Sequence, residues 1–139
     1  MKRKSIFVTI ILLILLITGT VYATDEMISE EEITVVETWD ISATENDNVI
    51  ATLYSNGNLI ISGEGQMKDS DYYEPIIRTD YFETVQIEEG VTSIGDYAFC
   101  NGYNLTTIQI PSTVENIGDN IFSDCYSLES VNVSEENKY

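Results

Sequence analysis

The second half of the chain repeats itself every 23 residues, and this period restricts the fold more than any other feature of the sequence. The aligned apolar residues are Phe82 with Leu105 and Leu128, Val85 with Ile108 and Val131, Ile87 with Ile110 and Val133, Val91 with Val114, Ile94 with Ile117, and Phe99 with Phe122. A fixed period of this size is typical of a solenoid, in which each repeat buries its apolar edge only against its neighbours. We therefore predict a mainly β chain, with a short repeat solenoid over residues 82–139.

One repeat contains a short strand and a return segment. Around Ile108 and Ile110, apolar and polar residues alternate, which predicts a strand with these two side chains facing the core. Pro111 then ends the pairing of the strand, because proline has no N–H to donate. Gly118 follows Ile117 on the return segment, where we interpret it as the residue that allows a tight turn.

The segment 39–81 before the repeats is predicted to be β-rich. Residues 49–53 and 59–62 read as two strands, joined by the turn-forming dipeptide Asn56-Gly57. Gly63 and Gly65 are expected to end the second strand. An isolated hairpin is barely stable in water, so we expect this one to cap the solenoid.

Several motifs resemble one known repeat family. They are V-T-S-I-G-x-x-A-F at 91–99, x-L-x-x-I-x-I-P at 104–111, V-x-x-I-G-x-x-x-F-x-x-C-x-x-L-x-x-V-x-V at 114–133, and L-x-x-x-G-x-L-x-I-S-G-x-G-x-M at 53–67. They are similar to the BspA-type leucine-rich repeats of bacterial cell-surface proteins. The resemblance implies a leucine-rich repeat solenoid and a role in adhesion or surface recognition. Members of that family continue over more repeats, so it also implies a truncated member with an incomplete C-terminus.

Residues 1–23 read as a signal peptide. Lys2, Arg3 and Lys4 precede an apolar run over 6–17, and small residues lead to a cleavage site after Ala23. The run is shorter than the roughly 20 residues that a membrane-spanning helix needs. We therefore expect a secreted or cell-surface protein that contacts no membrane after cleavage. Residues 24–38, rich in Glu, are expected to be a flexible acidic leader, with Ile33, Val35 and Val36 as candidates for the start of the first strand.

The composition excludes several functions. Against 24 Asp and Glu stand 6 Lys and Arg, for a formal charge of −18, which argues against nucleic acid as a partner. The sequence has no histidine, so it cannot contain a Ser-His-Asp or Cys-His catalytic set. We predict no enzyme activity, no cofactor and no metal site.

Polar residues alternate with the buried ones along the three predicted strands of the repeats. On the concave sheet they would face outward, which is the usual binding surface of such repeats. These candidate residues are Thr84, Gln86, Glu88, Thr107, Gln109, Ser130 and Asn132. The alternative is that they are ordinary solvent-facing positions. Tyr103 and Tyr126 also recur once per repeat, either as an aromatic stripe or as a cover for the core.

Cys100 and Cys125 are the two cysteines of the chain. A disulfide between them is permitted in an exported protein. Two buried free thiols that serve as packing residues are the favoured alternative.

The function hypothesis is a non-enzymatic leucine-rich repeat protein that recognises a protein or glycan on a host, a matrix or a neighbouring cell. The alternative is an accessory or targeting module of a larger extracellular enzyme.

Overall fold

A computed structural model describes residues 31–78 and 81–138 of the chain. The predicted signal peptide and the leader up to residue 30 lie outside the described residues. Within the described part there are strands and turns but no α-helix, which confirms a mainly β chain. The strands are β1 Val35–Asp40, β2 Asn48–Tyr54, β3 Asn58–Gln66, β4 Thr84–Ile87, β5 Val91–Ile94, β6 Thr107–Ile110, β7 Asn116–Ile117 and β8 Ser130–Val133. Strand β1 begins inside the segment 24–38, at the β-branched pair Val35 and Val36.

The strands form two ladders that run along the solenoid. The first has the order β1-β2-β3-β4-β6-β8, antiparallel from β1 to β3 and parallel from β3 to β8. The second pairs β3, β5 and β7 in parallel. Hydrogen bonds join residues one repeat apart, as from Thr106 Oγ1 to the Glu83 carbonyl at 2.9 Å. The predicted 23-residue solenoid is confirmed.

Strand β3 takes part in both ladders and so connects the hairpin to the repeats. Its residues 58–61 pair with β4, whereas Gly65 and Gln66 pair with β5. The expectation that Gly63 and Gly65 end the strand is wrong. Both glycines adopt positive φ values, +115° and +107°, within a strand that continues to Gln66. A Cβ atom on Gly63 would overlap the carbonyl group of Asn48 on β2, so the absent side chain lets the two strands stay paired at this point.

The core lies between the two ladders. Val85, Ile87, Ile108 and Ile110 point inward from the first ladder and are buried, as predicted. Further apolar side chains fill the same space from β5 and from the turns between the ladders; those fully or nearly fully buried include Phe82, Val91, Ile94, Phe99, Leu105 and Val114. Equivalent side chains of neighbouring repeats meet in this core, as where the rings of Phe99 and Phe122 stack with centroids 6.3 Å apart.

Strand β8 departs from the inward pattern. Val131 and Val133 occupy the places of Ile108 and Ile110, and the repeat predicts that they face the core. They are instead 46% and 49% exposed. The reason is geometric, since β8 is the last strand of the first ladder among the described residues and no further described strand covers this side.

Candidate functional site

The predicted recognition residues form rows that cross the first ladder. Strand pairing sets Gln86 beside Gln109, and Gln109 beside Asn132. A second row contains Thr84, Thr107 and Ser130 in the same register. The rows exist because residues 23 apart occupy equivalent places in neighbouring parallel strands, where strands lie about 4.8 Å apart.

A groove of about 630 Å³ runs along the row of amides. Four of the predicted residues line it, and we call this the amide groove: Gln86, Glu88, Gln109 and Asn132. All four are exposed. On β4 and β6 the alternate residues point into the core, and on β8 they face the same side. The groove therefore presents three carboxamides and a carboxylate to solvent.

The remaining predicted residues do not line this groove. Thr84, Thr107 and Ser130 are half-buried near the beginning of their strands. Two of them bond within the protein: Thr84 donates to Asn58 Oδ1 at 2.7 Å, and Ser130 donates to Asn132 Oδ1 at 3.1 Å. The second of these bonds orients the Asn132 amide at the edge of the groove.

Two polar residues of the groove were missed at the sequence level. Glu89 and Ser134 line it just after β4 and β8. The Glu89 carboxylate accepts hydrogen bonds from the backbone N–H of Ser112 at 3.2 Å and from its hydroxyl at 3.1 Å. These bonds, the backbone bond first, hold the pKa of Glu89 below its usual range, so the groove keeps this negative charge at neutral pH. Glu89 and Ser112 are 23 residues apart, and this spacing of one repeat was the signal in the sequence that could have identified Glu89.

A second groove of about 530 Å³ lies along the other ladder. Gln66, Lys68 and Asn116 are among its polar residues. Lys68 donates from Nζ to the Asp40 carbonyl at 3.0 Å, so its charge is held beside the hairpin. None of the predicted recognition residues lies here.

Both cysteines are free thiols. Cys100 is buried, and Cys125 is half-buried with its Sγ 3.1 Å from the Phe99 carbonyl oxygen. Burial is the largest cause that raises the pKa of each thiol. Both are therefore protonated and weakly nucleophilic at neutral pH.

The chemistry of the amide groove is that of hydrogen bonding. Each carboxamide offers two donors and one acceptor oxygen, and the carboxylates accept only. Within residues 31–78 and 81–138, no cluster of side chains has the composition of a metal site. The same described residues include no helix with the length and apolar character to span a membrane.

Comparison with known proteins agrees with this architecture. The chain is similar to a leucine-rich repeat protein of known structure from Eubacterium ventriosum, at 32% identity and a TM-score of 0.65 over 76% of this chain. It spans 27% of the length of that protein. No curated protein sequence matches the chain.

A family profile identifies the repeats themselves. The profile described as a BspA-type leucine-rich repeat region of six copies matches residues 77–139. Repeats of this kind form surfaces suited to protein–protein interaction. Residues 77–139 are therefore a BspA-type leucine-rich repeat region.

Proposed function

We propose that the protein is a non-enzymatic recognition protein outside the cell, which binds a partner protein or glycan through the amide groove. The observation that carries this proposal is the register of Gln86, Gln109 and Asn132 across three strands. Three amides at one strand spacing provide a regular series of donors and acceptors. An extended chain with repeated hydroxyl or amide groups can bond to each of them in turn.

The charge of the groove narrows the class of ligand. Glu88 and Glu89 flank the amides, and the whole chain carries a formal charge of −18. Phosphate-rich or sulfated partners would be repelled by this potential. Neutral glycans and polypeptide segments are the ligands that suit it, presented by a host cell, a matrix or a neighbouring cell.

The proposed extracellular location and the proposed non-enzymatic role are supported by different observations. Two features favour a secreted or surface-attached protein. They are the predicted signal peptide over 1–23 and the repeats over 77–139, whose family is typical of cell surfaces. The absence of histidine from the sequence and the open form of the groove favour binding over catalysis. Adhesion is the role that combines these properties.

A binding array tests the proposal. Purified protein covering residues 24–139 is applied to arrays of neutral glycans and matrix proteins, beside the variants Gln109→Ala and Gln66→Ala. Gln66 is also an exposed strand glutamine, but it lines the other groove, so it is a matched control. We expect the bound ligands to lose signal with Gln109→Ala and to keep it with Gln66→Ala. Equal signals from Gln109→Ala and the unsubstituted protein would place the binding site elsewhere.

A further inference from the structure

Five tyrosines form a continuous surface on the turns between the two ladders and on the segment before β4. We call it the tyrosine patch, and its members are Tyr72, Tyr73, Tyr97, Tyr103 and Tyr126. Tyr126, Tyr73 and Tyr103 are 79%, 88% and 46% exposed. So much exposed aromatic surface in one place is typical of sites that contact a partner.

The rings contact one another in two groups. Tyr72 lies edge-on to Tyr73 at a centroid distance of 5.1 Å and to Tyr97 at 6.2 Å. Tyr103 and Tyr126, which are one repeat apart, stack with centroids 6.1 Å apart and an angle of 21° between their planes. The patch thus extends over two repeats and the segment that precedes them.

One carboxylate joins the two groups of rings. Asp124 accepts a hydrogen bond from the Tyr72 hydroxyl through Oδ2 and from the Tyr126 hydroxyl through Oδ1, each at 2.5 Å. The two hydroxyl bonds hold the pKa of Asp124 below its usual range, and the bond to Asp124 is the main cause that raises the pKa of Tyr72 to about 12. The carboxylate is therefore charged at neutral pH and fixed among the rings.

Further negative charge surrounds the patch. Asp71 accepts a hydrogen bond from the backbone N–H of Tyr73 at 2.8 Å, and Glu74 follows Tyr73 in the chain. Beyond residue 4 the sequence has three basic residues, Lys68, Arg78 and Lys138. Aromatic faces beside fixed carboxylates attract cations, because the ring quadrupole and the carboxylate charge act in the same direction.

We propose that the tyrosine patch is a second interaction surface, which binds a basic segment of a partner protein through its arginine side chains. Arginine fits both parts of the surface, since a planar guanidinium stacks on tyrosine faces and bonds to carboxylates. The patch is large enough to contact several cationic side chains of one polypeptide, and it is larger than a single small cation needs. This site is separate from the amide groove and does not depend on the function proposed for it.

A peptide titration tests this site. The probe is an acetylated tetra-arginine amide at about 150 mM salt, where charges more than roughly 8 Å apart are largely screened. Its control is the same peptide with citrulline, which is neutral, in place of arginine. We expect the arginine peptide to bind, and the citrulline peptide to bind at least about tenfold more weakly, because it has no charge for the rings and carboxylates.

Variants locate the binding on the chain. Tyr126→Ala and Tyr81→Ala are matched, because both remove one tyrosine of similar exposure, 79% and 72%, and Tyr81 lies outside the patch. We expect the arginine peptide to bind about two- to fivefold more weakly to Tyr126→Ala and about tenfold more weakly to Tyr73→Ala/Tyr126→Ala, with Tyr81→Ala unchanged. Asp124→Asn provides a second variant that keeps every ring, and we expect weaker binding there also.

Two results would overturn the proposal. One is equal binding of the arginine and citrulline peptides, which would indicate a neutral partner. The other is equal binding of the arginine peptide to Tyr73→Ala/Tyr126→Ala and Tyr81→Ala, which would indicate attraction to the net charge alone. In both cases binding at the amide groove is unaffected, because Gln109→Ala tests it independently.

Discussion

The α-carbon of Gly118 lies against the backbone of Asp96, the equivalent of Asp119 one repeat earlier. A Cβ atom on Gly118 would be 2.5 Å from the Asp96 backbone nitrogen. The Asp96 carboxylate in turn accepts a hydrogen bond from the backbone N–H of Asp119 at 2.7 Å. Gly95 has the same role toward the hairpin, since its Cβ would be 2.6 Å from the Lys68 carbonyl carbon. Neither glycine is among those with positive φ, so the glycine of each repeat is needed for close stacking and not for a tight turn.

Alanine at these glycines should therefore destabilise the solenoid. We expect Gly95→Ala and Gly118→Ala each to lower the free energy of unfolding by about 1–3 kcal/mol, as overpacking does in a tightly packed interior. Gly95→Ala should be the more destabilising, because Gly95 is buried and the three atoms nearest to its Cβ are all backbone atoms, whereas the nearest atom at Gly118 is the Asp96 side-chain oxygen. Urea unfolding followed by circular dichroism measures the change, with the exposed substitution Glu115→Ala as control. A gain in stability, as when alanine replaces a glycine without strain, would contradict the stacking role.

The turns after β5 and β7 repeat a backbone conformation that favours asparagine. Asn120, with φ 56°, occupies the place of Tyr97, with φ 52°, one repeat earlier. In this left-handed region other L-residues have a conformational free energy about 1–2 kcal/mol less favourable, whereas glycine has no such penalty. We expect Asn120→Ala to be less stable than Asn120→Gly by about 1 kcal/mol.

The comparison between these two variants isolates the contribution of the left-handed backbone conformation to stability. Both remove the hydrogen bond from Asn120 Nδ2 to the Tyr97 hydroxyl, so that loss cancels between them. Thermal unfolding of the two proteins under the same conditions gives the difference. Equal midpoints would mean that the turn can relax away from the left-handed conformation.

Much of the fold was predictable because the repeat is a pattern of buried side chains. The period gave the inward positions of Val85 and Ile108, and the same alternation placed Gln86 and Gln109 on the outer face. Stacking geometry was not predictable in this way. The continuation of β3 through Gly63 depends on how closely β2 approaches it, and that distance is set by tertiary packing. Exposure of Val131 likewise depends on which strand lies beside it, and not on its own repeat.

Only part of the amide groove could be predicted from the sequence, because the prediction relied on the alternation along strands. Strand alternation identified the amides of the groove but not Glu89, which lies just after β4 where no alternation continues. The 23-residue period pointed to Tyr103 and Tyr126 as a stripe, but not to Tyr72, Tyr73 and Tyr97, which come from other segments of the chain. Tyr72 and Tyr126 meet through Asp124 only after the segment before β4 packs against the turns of the repeats.

The two thiols should resist alkylation in the folded protein. Burial raises the pKa of Cys100 and of Cys125, so the reactive thiolate is scarce at neutral pH. We expect iodoacetamide without reductant to label both cysteines quickly in denaturant and slowly in native buffer, with Cys100 the slower. Mass spectrometry counts the labels. If neither cysteine were labelled in denaturant, the protein would contain the Cys100–Cys125 disulfide instead.

Acid should weaken the connection between repeats at Glu89. Its pKa is lowered in the folded protein by the hydrogen bonds from Ser112, so its stabilising contribution is full above the ordinary pKa of a glutamate. That contribution is lost as the pH falls through the lowered value. We expect Glu89→Gln to be less stable than the unsubstituted protein at pH 7 and to approach it in stability near pH 3.

A paired comparison is needed because protonation has a second effect in this chain. With 24 acidic residues, acid also relieves repulsion among carboxylates, which acts to stabilise the fold. The substitution Glu88→Gln removes the same charge from the neighbouring residue and provides the control for that effect. Urea unfolding at several pH values between 3 and 7 gives the stability of each variant relative to the unsubstituted protein. We expect this difference to depend more strongly on pH for Glu89→Gln than for Glu88→Gln. Repulsion among carboxylates should be nearly the same at these two neighbouring positions. If stability depended on pH equally in both variants, the charge of Glu89, and not its bonds to Ser112, would determine the pH dependence.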